Sequence, residues 1–374
     1  VASSNDEAPQ PLGPIPSLDG IRAVAVSLVF FAHGGLEKLV PGGLGVTIFF
    51  VLSGFLITTL MRTEHARSGR VDFRNFYLRR LLRLMPPLLL VLGAAGLLSL
   101  LSIIDGGFSS GGLLAAVFYA GNYFVIAHDF QGLPAGIGVV WSLAIEEHFY
   151  LLFPPLAAVL LRTGRPGWSI GTFCALCAGI LLWRVWLVMH GTSAAYLTMA
   201  TDTRVDAILF GCGMALVCNP WLDRVAAPNA FRDGAIAAVS LAVLVISLTY
   251  RDEAFRLTAR YTLQSVAVAA LIYLAVARAH KLPFRWLNAR PVAYIGTVSY
   301  AIYLSHHMIL LGLARHWPLW PWWQLTLAGV LLTLAFVESV RRWVEQPLGR
   351  LRRSLRTTSP VSKVAATVLS VSPG

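Results

Sequence analysis

Arg22 and His33 lie eleven residues apart in "GIRAVAVSLVFFAH", a stretch that is otherwise apolar. In a helix, eleven residues advance about 16 Å and rotate about 1100°, close to three full turns. One face would carry a fixed cation at one end and a titratable ring at the other. An imidazole, with an ordinary pKa of about 6.5, suits the removal of a proton from an attacking hydroxyl. A snorkelling arginine and an interfacial histidine would leave the same trace, so the pair alone does not decide between the two.

Other polar groups interrupt apolar runs. "WSLAIEEHFY" (141–150) carries Glu146, Glu147 and His148. Two adjacent carboxylates cannot both face lipid cheaply. Glu146 first, and Glu147 second, are expected to hold the His33 ring and stabilise its charged form; Glu338 is the next carboxylate to test. "TRVDAILFG" brings Arg204 and Asp206, and "VSYAIYLSHHM" brings Ser299, Tyr300, Tyr303, His306 and His307. Trp141, Arg204, Asp206, Tyr300, Tyr303 and His306 are the candidate acceptor-binding residues. Each alone reads as well as an interhelical hydrogen bond worth about 1 kcal/mol. Four helices bringing polar groups to one half of the membrane make a better case for a reaction chamber.

The basic stretch "FYLRRLLRLMPP" (76–87) differs in kind. Arg79 and Arg83 are i,i+4, and Arg80 and Arg83 are i,i+3, so three guanidiniums can cluster. Such a cluster can grip phosphate oxygens in bidentate fashion, or simply face anionic lipid headgroups. With Arg22, these residues are the candidate binding set for a phosphorylated donor. Neither standard Gly-rich nucleotide loop occurs.

These residues need a membrane to sit in. Of 374 residues, 56% are hydrophobic and only 13% charged, which argues against a soluble globular domain. Ten apolar runs could cross a bilayer, at 20–37, 44–61, 84–104, 141–161, 169–190, 204–218, 234–250, 260–277, 292–312 and 322–340. Residues 113–127 form a shorter run containing Asn122. Arginines at 62–83 and at 162 and 165 place both connections inside, so an even number of crossings separates them. The runs at 84–104 and 141–161 already supply two, so 113–127 is expected to be re-entrant or interfacial. This arrangement puts 23 of the 30 Lys and Arg inside, with both termini cytoplasmic. The net charge of +12 thus follows topology rather than nucleic-acid binding. The expected fold is all-α, a polytopic membrane bundle over 17–350. Residues 1–16 and the basic tail 351–374 are read as disordered, and no cleavable signal is expected. Cys174, Cys177, Cys212 and Cys218 read as small buried hydrophobes rather than metal ligands.

The chain resembles the acyltransferase 3 family of integral-membrane O-acyltransferases. The matching pieces are "SLDGIRAVAVSLVFFAH", "GVTIFFVLSGFLIT", "RRLLRLMPP", "WSLAIEEHFYLLFP", "RVDAILFG", "SYAIYLSHH" and "WVEQPLGRL", in family order from about residue 17 to 350. The resemblance implies transfer of an acyl group, usually acetyl, from cytoplasmic acyl-CoA to a hydroxyl at the outer side of the bacterial inner membrane. The expected acceptor is a cell-surface or lipid-linked glycan. It also implies that the family histidine is His33, its helix arginine Arg22 and its arginine pair Arg80 and Arg83, with no metal. Many members have Asp where this chain has Thr47. Some carry an extracytoplasmic hydrolase-like domain; this sequence stops about 30 residues after its last run, so a separate partner or no second domain is expected. Open alternatives are a secreted metabolite as acceptor, an acyl-histidine intermediate, and a transporter whose path uses the same residues. Oligomeric state is not legible.

Overall fold

The computed structural model describes residues 14–349. The expected disorder of the two tails therefore falls almost wholly outside the described residues. Among those described, every regular element is helical. In chain order they are α1 Leu18–Phe31, α2 Gly42–Ser68, α3 Phe73–Leu100, α4 Ser110–Val117, α5 Gly121–His128, α6 Val140–Thr163, α7 Pro166–Met189 and α8 Ala194–Met199. They continue as α9 Thr201–Arg204, α10 Asp206–Val217, α11 Ala230–Thr249, α12 Glu253–Leu257, α13 Ala259–Ala277, α14 Arg290–Thr297, α15 Ser299–His316 and α16 Trp322–Val340.

Eight of the described helices are long and apolar enough to cross a membrane, nine when α14 and α15 are joined across their 72° bend. The tenth expected crossing is α10, which has only 12 residues. At 1.5 Å per residue it covers about 18 Å, well short of a hydrocarbon core of about 30 Å. The protein is a polytopic all-α bundle.

Two expected boundaries move. The sequence places 62–83 in a connection, but α2 runs on to Ser68 and α3 begins at Phe73, leaving a turn of four residues. The Asp72 carboxylate caps α3 by accepting the Asn75 amide at 3.0 Å, which holds that carboxyl below its usual pKa. Arg79, Arg80 and Arg83 therefore ride on α3 itself. Arginine count ended the predicted run early, because it could not show that carboxylates of another helix meet these side chains.

The segment 113–127 folds as the two eight-residue helices α4 and α5. The Ser109 amide donates to the Gly132 carbonyl at 3.0 Å, and the Ala135 amide to the Asp105 carbonyl at 2.9 Å. The chain thus leaves and returns at one place, as a re-entrant or interfacial segment must. The connections also sort into two faces. On one, Ser17 bonds Asn288, Arg62 pairs with Asp223 and Arg278 with Asp233. On the other, Arg315 pairs with Asp105, the Asn122 amide reaches the Met199 carbonyl, and Thr326 bonds the Gly34 carbonyl.

Helices α2 and α10 approach closely because glycines meet there. A methyl at Gly54 would collide with the Ile208 carbonyl oxygen, and one at Gly211 with that of Val51. Small residues at such crossings let backbones pack without lipid between them. Of the cysteines, Cys177 and Cys212 are buried as expected, whereas Cys174 and Cys218 are exposed.

Candidate active site

His33 does not sit on regular α-helix. Residues Ala32–Leu36 form a π-turn after α1, and Gly35, two residues after His33, has φ of 96°. A side chain at Gly34 would meet Thr326 of α16, and one at Gly35 would meet Trp322. The glycines thus let the turn press against α16 and swing the imidazole toward α15. There His33 Nδ1 lies 2.9 Å from His306 Nε2, and the His33 ring stacks on His307 with centroids 4.2 Å apart. His306 is fully buried, whereas His33 is exposed. His306 Nδ1 is 2.8 Å from the Tyr303 carbonyl oxygen and 3.1 Å from that of Ile302.

The predicted partnership of His33 with Glu146 or Glu147 is not what the structure brings together. Glu146 accepts hydrogen bonds from Ser53 and from Tyr150, each at 3.0 Å. Glu147 accepts one from Arg80 Nε at 3.0 Å, and Arg80 Nη2 stands 3.8 Å from Glu146. The Arg80 guanidinium also covers the Tyr150 ring. The reason is axial level. Tyr303 of α15 shares a 2.6 Å hydrogen bond with Ser142 of α6. His306 lies almost one turn beyond Tyr303, and Glu146 about one turn beyond Ser142 in the opposite direction. The imidazoles and carboxylates are therefore about 10 Å apart along the bundle. Glu338 is also engaged elsewhere, by Tyr294 at 2.6 Å and Arg341 at 2.7 Å.

A cavity opens at the carboxylate level and reaches Tyr303, about one helical turn short of the imidazoles. Its lining includes Arg22, Arg80 and Arg83, then Ser53, Glu146 and Tyr150, then Ser142, Tyr300 and Tyr303, around a cavity volume of ≈ 130 Å³ that is partly open to the surface. Tyr300 donates to the Leu84 carbonyl at 2.9 Å, which ties α15 to α3 along its wall. Arg22 also pairs with Asp19 at 3.1 Å. Arg79 turns away to Glu64, at 3.6 Å, and is not among the lining residues. Sequence reasoning did not single out Ser142 or Tyr150. A serine and a tyrosine inside apolar runs carry no signal until their partners are known.

Arg204 and Asp206 belong to a different, buried group. Asp206 pairs with Arg184 at 2.7 Å and accepts from Thr262 at 2.9 Å. Arg204 lies 3.8 Å above the Tyr261 ring and donates to the Thr198 carbonyl at 3.0 Å. Its Nη2 lies 3.4 Å from the Thr47 hydroxyl. Thr47 thus stands where it faces a buried arginine. Trp141 packs edge-on to Phe50 within the apolar core. His148 meets Thr201 at 2.8 Å. These contacts knit helices together; Phe50 also lines the cavity, whereas Trp141, His148, Arg204 and Asp206 do not. Among the described residues, no three His, Cys, Asp or Glu side chains group as a metal site would require.

A profile of the acyltransferase 3 family, described as an acyltransferase domain, matches residues 15–337. The chain is 30% identical over 312 residues to the peptidoglycan O-acetyltransferase OatA of Listeria monocytogenes, covering 79% of this chain and 49% of that one. It is 29% identical over 363 residues to a Staphylococcus aureus protein provisionally named an O-acetyltransferase, covering 89% of this chain and 57% of the relative. A Bacillus subtilis protein provisionally named a peptidoglycan O-acetyltransferase is 30% identical over 358 residues, covering 89% and 55%. The chain spans about half the length of these curated relatives. No solved structure matches it. A profile match over most of the chain and this membrane-helix architecture agree: the chain belongs to the acyltransferase 3 family.

Proposed function

We propose that the protein is an inner-membrane O-acetyltransferase that takes acetyl from acetyl-CoA, or acyl from a related acyl-CoA, to a glycan hydroxyl on the outer side. The observation that carries this reading is the cavity, which starts at arginines and ends one helical turn from a paired histidine. Arg22 and Arg83 are the arms for the donor's phosphates. Arg80, held by two carboxylates, instead keeps α3 and α6 together beside the thioester arm. The acyl end passes Ser142 and Tyr303 toward His33.

Exposed His33 meets the acceptor. Its ring nitrogen takes the hydroxyl proton while the alkoxide oxygen bonds the thioester carbonyl carbon. The carbon–sulfur bond then breaks, and the proton passes from the imidazolium to the CoA thiolate. Ester and free CoA result, with no other reactant needed. A glycan acceptor is favoured by the printed name of the Listeria relative, and peptidoglycan is the first substrate to test.

The test is base-labile acetate on purified cell-wall glycan, together with CoA release in membrane vesicles, for the parent and for His33→Ala. Loss of both products in the variant, with protein amount unchanged, is the expected result. Unchanged transfer by the variant removes the base role.

A further inference from the structure

His306 sets which nitrogen of His33 is free. A backbone carbonyl oxygen can only accept, so the short contacts of His306 Nδ1 with the Tyr303 and Ile302 carbonyls fix a proton on Nδ1. A neutral ring carries one N–H, which leaves His306 Nε2 a bare acceptor. His33 Nδ1, 2.9 Å away, must then be the donor to it. The remaining His33 nitrogen, Nε2, holds a lone pair.

We propose that His306 is a positioning residue that locks His33 in its Nδ1–H tautomer and so presents His33 Nε2 to the acceptor hydroxyl. This rests on the reading of His33 as the base. The device replaces the carboxylate usually found behind such a ring: here a buried neutral imidazole, itself anchored on main chain, performs the orientation. Unlike a carboxylate, it adds no net charge to the buried level. When His33 gains the acceptor's proton, its Nδ1–H bond to His306 is kept and becomes charge-assisted, which stabilises the imidazolium. His307, stacked on His33, holds the ring plane against the same helix.

Three substitutions at 306 separate orientation from packing. Gln can set an amide oxygen close to the lost Nε2; Asn is too short to do so, and Leu offers shape without an acceptor. Each is purified in detergent, checked for a single monodisperse peak, and assayed for acetyl transfer per mole of folded protein. His306→Leu and His306→Asn should lose kcat by roughly 10²-fold or more, on the scale seen when a base loses its orienter, with KM for acetyl-CoA within about twofold. His306→Gln should recover at least about tenfold of that loss. Equal activity in the Gln, Asn and Leu proteins, or a change confined to KM, would overturn the proposal. If Leu does not fold, the Gln-to-Asn comparison decides alone. An active His33→Ala protein would instead sink the base reading itself, whatever the 306 variants do.

Discussion

Arg80 of α3 and Glu147 of α6 meet at 3.0 Å, and the same guanidinium faces Glu146 at 3.8 Å. The pair crosses a cavity wall rather than a solvated loop, with each side chain about one-sixth exposed. Two carboxylates and one arginine leave one formal negative charge at mid-height, while Arg22 and Arg83 line the same cavity. Of the four arginines read from sequence as one phosphate-binding set, Arg79 and Arg80 meet carboxylates of α2 and α6, and the proposed function leaves Arg22 and Arg83 to the donor.

That division predicts different kinetics. Arg22→Ala and Arg83→Ala should each raise KM for acetyl-CoA, because a lost charge-assisted phosphate contact costs about 1.5–3 kcal/mol, roughly tenfold or more in affinity. Lys at either site should recover only part, lacking the planar fork. Arg80→Ala should instead lower the yield of folded protein, and adding Glu147→Gln should restore some of it, since the single change strands carboxylates. Steady-state kinetics with acetyl-CoA and size-exclusion profiles read the two effects. An Arg80→Ala protein that is stable and defective only in donor KM would return Arg80 to the donor site.

The Arg184–Asp206 pair is wholly buried and joins α7 to α10, with Thr262 of α13 accepting from the same arginine. Removing one member leaves an uncompensated charge. Arg184→Met should therefore cost roughly 3–5 kcal/mol of stability, and pairing it with Asp206→Leu should regain most of that. Thermal unfolding of the detergent-purified proteins measures both. A single variant as stable as the parent would mean that Asp206 finds another partner, and that Arg204 beside it carries the balance.

The same region shows what the sequence could and could not disclose. Apolar runs long enough to cross a bilayer are read from one residue after another, so the bundle and nine of its crossings were legible. Length alone misjudged α10, whose 12 residues are prefixed by the separate turn of α9. Periodicity put Arg22 and His33 on one face; Arg22 lines the cavity, whereas His33 meets His306 beyond its Tyr303 end. It could not say that Gly34 and Gly35 convert the end of α1 into a π-turn against α16, which aims His33 at α15. Nor could it pair Glu146 with His33 or Arg80: that choice depends on the relative heights of α3, α6 and α15, which no single helix encodes. Arg204 and Asp206 were singled out for being polar in an apolar run, a property shared by catalytic groups and by buried ion pairs.

Sidedness remains the relation on which the direction of transfer depends. The hydrogen bond from Ser109 to Gly132 puts both ends of the α4–α5 segment on one face, with Gly136 packed against His307 and Met308 nearby. The Arg162 and Arg165 turn belongs to the opposite face, since α6 crosses between them. Positive charge assigns that turn to the cytoplasm. In a protein whose four cysteines are replaced by serine or alanine, Gln131→Cys should react with an impermeant maleimide in intact cells. Thr163→Cys should be protected there and react in inverted vesicles. Both positions are exposed, so access rather than burial governs the outcome. The opposite pattern would place His33 with the cytosolic donor and Arg22 outside. The cavity would then run the wrong way for a CoA-dependent transfer to the cell surface, and the proposed function would fall with it.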